Sequence, residues 1–407
     1  MRTTAEGAVV WKAKSVLEQR NSLVLRYRAG ERMTELSREY GVSRKTGYKY
    51  VERYEAWGDA GLVDLSQRPK QTPTALAEEF VSLIVDARRR HPTWGPKKLR
   101  VLLISEHPGV ELPSRTTIAN VLRRQQLTVP RRRRGRVAAY RAPLTDAKGP
   151  NELWCMDFKG QFELGDGTVC YPFTVTDAFS RYVLVCEAFD GTAGKGVRAA
   201  LEHIFREKGL PRAIRSDNGE PFVSPRALFG LSRLGAWLAR LGILHERIEP
   251  GCPQQNGRHE RMHRTLKAET TRPAARTLLG QQERFDAWRT CFNEQRPHEA
   301  LGDRTPASAY EPSPRVWKGE VPKPSYPLHD MTRPVWKGGI VAIDRRRRFS
   351  LTASLVDEQV GLREVEDGKW LVSFVARDLG HYDERERRFI PSVATEEIGK
   401  ESAIAAE

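Results

Sequence analysis

Three carboxylates and two histidines carry the chemistry this sequence can offer. Asp157 lies in "LWCMDF", Asp217 in "IRSDNG" and Glu260 in "NGRHERMHRTLKAE". In the last stretch His259, Glu260 and His263 also spell H-E-x-x-H. Two histidines one helical turn apart could hold zinc, with the glutamate between them as general base. Three acids suggest a different chemistry. Carboxylate oxygens suit Mg²⁺ or Mn²⁺. Two such ions about 3.5 to 4 Å apart can activate an attacking oxygen and stabilise a leaving one at a phosphodiester. Three acids among 52 acidic residues carry no weight until their positions do.

The elements around them supply that weight. "ELWCMDFKGQFEL" reads as a strand and "YPFTVTDAFSRYVLVCEAFD" as a strand pair. "GKGVRAALEHIFREKG" reads as an amphipathic helix, "RAIRSDNG" as a short strand ending in a turn, and "ILHERIE" as a strand. The "PRALFGLSRLGAWLARLG" segment is expected to be helical, and so are the Glu260 stretch and "QQERFDAWRTCFNEQRPHEA". Strands first, then alternating helices and strands, predict a mixed sheet with helices packed on it. Asp157 then sits in the first strand and Asp217 at a strand's end. Active sites of α/β sheets gather there. Asn218-Gly219 permits the tight turn that projects Asp217. Lys267 lies two turns past Glu260 on the same helical face, where it could grip a phosphate. Asp177, in "TVTDAFSRY", competes for a catalytic seat but suits a turn with Ser180 and Arg181.

The zinc reading is the weaker one. None of the nine histidines supplies a downstream partner motif. The helix also carries Arg258, Arg261, Arg264 and Lys267, a charge suited to DNA. His259 and His263 are expected to pack or to approach phosphates.

Bulk properties agree. The net charge is +16, and residues 1 to 150 hold 30 Lys+Arg against 15 Asp+Glu, so nearly all the excess lies at the front. That pattern marks a polyanion-binding front end on a near-neutral body. The five cysteines form no C-x-x-C pair, so reduced buried thiols are expected rather than disulfides or a cysteine zinc site. No apolar run reaches the roughly 18 to 20 residues of a membrane span. The first residues lack a signal-peptide pattern. A cytoplasmic, nucleoid-associated protein with no membrane partner is expected.

At the front, "ERMTELSREYGVSRKTGYKYVERYEAWG" sets apolar or aromatic residues at Met33, Leu36, Tyr40, Val42, Tyr48, Val51 and Tyr54. Gly41 interrupts the pattern and Ser43 can cap the next helix. This is a helix-turn-helix layout whose second helix offers Arg44, Lys45, Thr46 and Lys49 to DNA. A second such unit is expected over 74–128, with Ser114 capping a helix that presents Arg115, Thr116 and Thr117. The run Arg131, Arg132, Arg133, Arg134 is expected to track phosphates. The Arg345 to Arg348 run is read equally as a DNA contact or a solvated turn.

The motifs "LWCMDF", "TVTDAFSRY", "IRSDNGEPF", "PQQNGRHERMHRTLK" and "FNEQRPHEALGDRTPASAY", in that order over about 150 to 310, resemble DDE transposases of bacterial insertion sequences. Their core is similar to that of retroviral integrases. The resemblance implies a ribonuclease H-like fold and two Mg²⁺ ions, with Mn²⁺ as substitute, held by Asp157, Asp217 and Glu260. It implies that Lys267 contacts the element's end. It implies hydrolysis at that end, then attack of the freed 3′-hydroxyl on target DNA. Implied partners are double-stranded DNA, as transposon ends and target, and further copies of the chain; a helper ATPase is left open. The 42 residues between Asp217 and Glu260 exceed the family's usual spacing, and the extra length is placed in the "SPRALFGLSRLGAWLARLG" segment. A catalytically silent helix-turn-helix regulator derived from a transposase is the alternative.

The domain reading is therefore a helix-turn-helix domain at 15–63 and a second helix-turn-helix-like domain at 74–128. A basic linker (129–149) leads to an α/β catalytic core (150–311). A proline-rich linker (312–330) precedes a small all-β barrel (331–391), where Asp367-Gly368 marks a hairpin. A disordered tail (392–407) follows.

Overall fold

A computed structural model describes residues 15–65, 76–128, 146–225, 227–249 and 253–392. Arg131 to Arg134, Cys252 and the expected tail from 393 onward lie outside them. The chain forms two compact units that part between Leu76 and Ala77.

The first unit holds helices α1 (Val16–Arg28), α2 (Met33–Glu39) and α3 (Arg44–Trp57). Ser43 caps α3 by accepting the Thr46 N–H at 3.1 Å. Gly41, at φ +65°, makes the left-handed turn between α2 and α3. Leu23, Val24, Met33, Leu36, Tyr50, Val51 and Leu62 form the core. Gly47 lets the last two helices cross closely: a Cβ there would sit 2.4 Å from Met33 Sδ.

The second unit begins with α4 (Glu78–Arg90), α5 (Pro96–Glu106) and α6 (Arg115–Arg124). Ser114 caps α6 through the Thr117 N–H at 3.2 Å. The α/β body follows, with β1 (Leu153–Phe158), β2 (Phe162–Glu163), β3 (Val169–Asp177), β4 (Val183–Phe189), α7 (Gly194–Lys208) and β5 (Ala213–Ser216). It continues through α8 (Arg233–Arg240), β6 (Leu244–Arg247), α9 (Gly257–Thr270) and α10 (Leu278–Thr290). The sheet runs β2-β3-β1-β5-β6, with β4 on β3. β1, β3 and β4 are antiparallel, while β1, β5 and β6 are parallel. This is a ribonuclease H-like core. Its interior includes Trp154, Met156, Phe173, Val175, Leu201, Phe205 and Ile214.

One expectation is corrected. The segment 224–242 is not helical throughout: only Arg233–Arg240 is α-helix, after a short 3₁₀ turn at Leu228–Gly230. Phe229 and Gly230 both take positive φ, and Ser232 starts α8 as its cap through the Gly235 N–H. α8 is apolar on two faces for a reason. Leu234, Trp237, Leu238 and Leu241 enter the α/β core, whereas Ala236 and Ala239 pack against the last domain.

Residues 312–330 hold no helix or strand. They are nevertheless fastened to the core: Ser313 Oγ donates to Leu210 O at 2.6 Å, Arg315 Nη1 donates to Pro211 O at 2.6 Å, and Trp317 is buried. Seven short strands follow, from β7 (Met331–Trp336), β8 (Ile340–Ala342), β9 (Arg348–Ser350) and β10 (Gln359–Glu366) to β11 (Lys369–Phe374), β12 (Arg377–Asp383) and β13 (Arg388–Pro391). Their order is β13-β12-β11-β10-β7-β8-β9. Phe349 of β9 stacks on Phe389 of β13 at 5.6 Å, so the two ends of the sheet approach in a barrel-like form. Gly368, at φ +74°, turns the β10–β11 hairpin.

Candidate active site

The two aspartates are brought level by the parallel pairing of β1 and β5. Cys155 lies opposite Arg215, and Asp157 and Asp217 each stand two residues further on. Side chains two apart on a strand share a face, so both carboxylates emerge on the same side at the carboxyl ends of adjacent strands. The Asp217 turn is tied down. Its Oδ1 accepts the Gly219 N–H at 3.1 Å, and Asn218 Nδ2 donates to Ile248 O at 2.7 Å. A Cβ on Gly219 would press on Asp217 Oδ2 at 3.3 Å.

Glu260 arrives on α9. That helix buries His259, Met262, His263, Leu266 and Thr270, an i, i+3, i+4, i+7, i+11 stripe, and leaves Glu260, Arg261, Arg264 and Lys267 exposed. Met262 and Leu266 pack with Leu164, Cys170, Val183, Phe285 and Trp288. The two histidines dock on β3 instead. His259 Nε2 and His263 Nε2 both meet Thr174 Oγ1, at 2.8 and 2.7 Å, and His259 Nδ1 meets Thr176 Oγ1 at 2.8 Å. Thr174 is the β3 residue paired with Asp157. α9 therefore sits over the sheet at the level of Asp157, with Glu260 in its first turn.

Burial and electrostatics mark the cluster. Burial first, then the charge of Asp217 and, less, that of Glu260, push the Asp157 carboxyl up from 3.8 to about 7. A like-charged cluster half-hidden from water invites a cation. Asp157, His259 and His263 also place one ligand atom each within 4.8 Å of one another, a group able to hold a metal ion. Both ring nitrogens of His259, however, already have threonine hydroxyl partners. A two-histidine zinc site would have to break them.

Burial holds both histidines well below their usual range, His259 at about 3. Both rings are buried against β3. Asp177 is committed elsewhere. Its Oδ1 accepts Ser180 N–H and Oγ–H at 2.7 and 2.6 Å, and its Oδ2 accepts Asn151 N–H at 2.8 Å. Cys155, Cys170 and Cys186 are buried and free. In the Arg345 to Arg348 run, Arg347 pairs with both Asp344 and Glu384.

The expected DNA contacts among the described residues are exposed on helices. Arg44, Lys45 and Lys49 are exposed on α3, and Arg115 and Thr116 on α6. Lys267 is exposed two turns from Glu260. Two features escaped the sequence reading. One is the Thr174–Thr176 pair; its sign was "TVT", two hydroxyls on one strand face. The other is Glu269 at the end of α9. It binds Arg296 at 2.9 Å, Trp288 Nε1 at 2.8 Å and the Thr93 hydroxyl, joining α9 to the second helical group. Nothing in its local pattern announced it.

Comparison with known proteins agrees with this architecture. Two models described as integrase core domain match residues 147–253 and 241–306. A helix-turn-helix domain matches 19–70 and a homeodomain-like domain 46–122. An uncharacterized protein of insertion element IS476 from Xanthomonas euvesicatoria is 31% identical over 250 residues, covering 61% of this chain and 69% of that protein. An uncharacterized protein of insertion element IS407 from Burkholderia multivorans is 31% identical over 248 residues, covering 59% and 82%. Among solved structures, the HTLV-2 integrase catalytic core domain in complex with magnesium aligns with 41% of this chain and 100% of its own, at 16% identity and TM-score 0.33. No helix among the described residues is long and apolar enough to cross a membrane.

Proposed function

The chain belongs to the integrase-core family of insertion-element proteins, and from that membership we propose that it is a DNA transposase acting by metal-dependent phosphoryl transfer. It binds the terminal inverted repeats of its element, hydrolyses the 3′ ends and joins them to target DNA. The observation that carries this reading is the level placement of Asp157 and Asp217 on adjacent parallel strands, beneath the helix that presents Glu260.

In this reading Asp157, Asp217 and Glu260 hold two divalent ions, Mg²⁺ or Mn²⁺. When bound, such a pair supplies Lewis-acid stabilisation of the attacking and leaving oxygens. The protein's own part is positional. β1 and β5 fix the aspartates, α9 fixes the glutamate, and Lys267, on the exposed face of α9, grips a phosphate next to the reacting one. Arg44, Lys45 and Lys49 on α3, with Arg115 and Thr116 on α6, face the repeat ends, and Arg131 to Arg134 track the backbone between. The domains carry these tasks as two helix-turn-helix modules, a catalytic core and a terminal β-barrel, and two or more copies bring two ends together. A helper ATPase forms no part of the proposal.

The test is a strand-transfer assay on DNA ends from the regions flanking the gene. Asp157→Asn, Asp217→Asn and Glu260→Gln should each lower joining at least about a thousandfold in Mg²⁺ while end binding stays within about twofold. Joining by any of the three overturns the assignment. A wild type that footprints the ends but never joins them is the silent regulator.

A further inference from the structure

The network beneath α9 assigns a tautomer to each histidine. Thr174 Oγ1 has one proton and two lone pairs, and three neighbours: Asp157 O at 3.2 Å, His259 Nε2 at 2.8 Å and His263 Nε2 at 2.7 Å. The hydroxyl donates to the backbone carbonyl. Both imidazoles then donate from Nε2, which fills both lone pairs. In that tautomer each Nδ1 keeps its lone pair. His259 Nδ1 uses its lone pair on the Thr176 hydroxyl at 2.8 Å. His263 Nδ1 faces Asp157 Oδ2 at 3.7 Å. That is too long for a hydrogen bond. It suits an ion between them. Two metal–ligand bonds of about 2.1 Å each place their donors about 3 to 4 Å apart when they meet at one centre. A metal-binding histidine characteristically donates its other ring N–H to a fixed acceptor, which orients the ring; Thr174 is such an acceptor.

We propose that His263 Nδ1 is a fourth protein ligand, binding the metal held by Asp157, and that Thr174 is the positioning residue that aims it. The proposal rests on the three-carboxylate reading and adds a nitrogen to an oxygen site. The H-E-x-x-H stretch then works as neither a zinc protease motif nor chance. His259 anchors the helix, Glu260 and His263 bind, and only one histidine coordinates. A nitrogen donor shifts preference from Mg²⁺ toward Mn²⁺ and later transition ions.

Mn²⁺ is the probe, bound to the full-length protein and read by electron spin echo modulation, which detects a directly bonded ¹⁴N. Wild type should show that coupling, and His263→Gln should lose it. Thr174→Val should weaken Mn²⁺ binding by about tenfold or more, and Thr174→Ser, which keeps the hydroxyl, should restore it. Imidazole ¹⁵N spectra of metal-free wild type should show His263 protonated at Nε2. Asp157→Asn separates the two readings. If wild type binds Mn²⁺, Asp157→Asn does not, and no ¹⁴N is seen, this inference falls and the carboxylate site stands. If wild type binds no Mn²⁺, both fall. Coupling that survives in His263→Gln, or a His263 protonated at Nδ1, also overturns it.

Discussion

In the metal-free protein the Asp157 carboxylate should work against folding, and replacing it should stabilise the protein. Its carboxyl is raised from 3.8 to about 7, mainly by burial and then by Asp217. An unfolded chain releases this proton near pH 4, whereas the folded chain keeps it until about pH 7. Folding therefore loses stability as pH rises through that window, and the loss is complete above it. About three pKa units at 1.36 kcal/mol each set a ceiling of about 4 kcal/mol. The side chain is 21% exposed, and water reaching it trims this to about 2 to 4 kcal/mol. Asp157→Asn keeps the shape and removes the charge. In EDTA at pH 8 the variant should melt about 3 to 6 °C above wild type by calorimetry. At pH 5 the gain should be well under half as large. Adding Mg²⁺ should raise the wild type and leave the variant in place, because the ion replaces the proton only where the carboxylate remains. A gain equal at both pH values, or none at pH 8, would refute the electrostatic account of the cluster.

Other perturbations address the remaining parts. Arg44→Ala combined with Lys49→Ala should weaken end binding and lower the salt slope by about two phosphate contacts; an unchanged slope would take α3 off the DNA. Asp177→Ala should cost about 2 to 4 kcal/mol, since it leaves the Ser180 and Asn151 donors buried, yet Mn²⁺ affinity should not change. A loss of metal binding at unchanged stability would move Asp177 into the site. Gly61→Ala would place a Cβ 2.1 Å from Arg53 O, so hydrogen exchange over residues 16–62 should report about 1 to 3 kcal/mol of lost stability with the α/β core unaffected. Unchanged exchange there would mean that the backbone yields freely.

The parts of this protein readable from sequence alone are the local ones. Ser43 and Ser114 cap their helices through N–H groups three residues on, and Gly41 and Gly368 turn where a positive φ is required. Such bonds close within one helical turn, so residue type and spacing determine them. The alternation of strands and helices likewise placed Asp157 in the first strand and Asp217 at a strand's end. The meaning of H-E-x-x-H was decided only in three dimensions. Periodicity shows that His259 and His263 share a face. It cannot show that the face lands on Thr174, 85 and 89 residues earlier, opposite Asp157. Nor could it show that α8 shrinks to eight residues between two domains, or that Glu269 ties α9 to Arg296 and Trp288. Those outcomes depend on which buried polar groups find partners, and partners distant in the chain meet only when the whole sheet and its helices have packed.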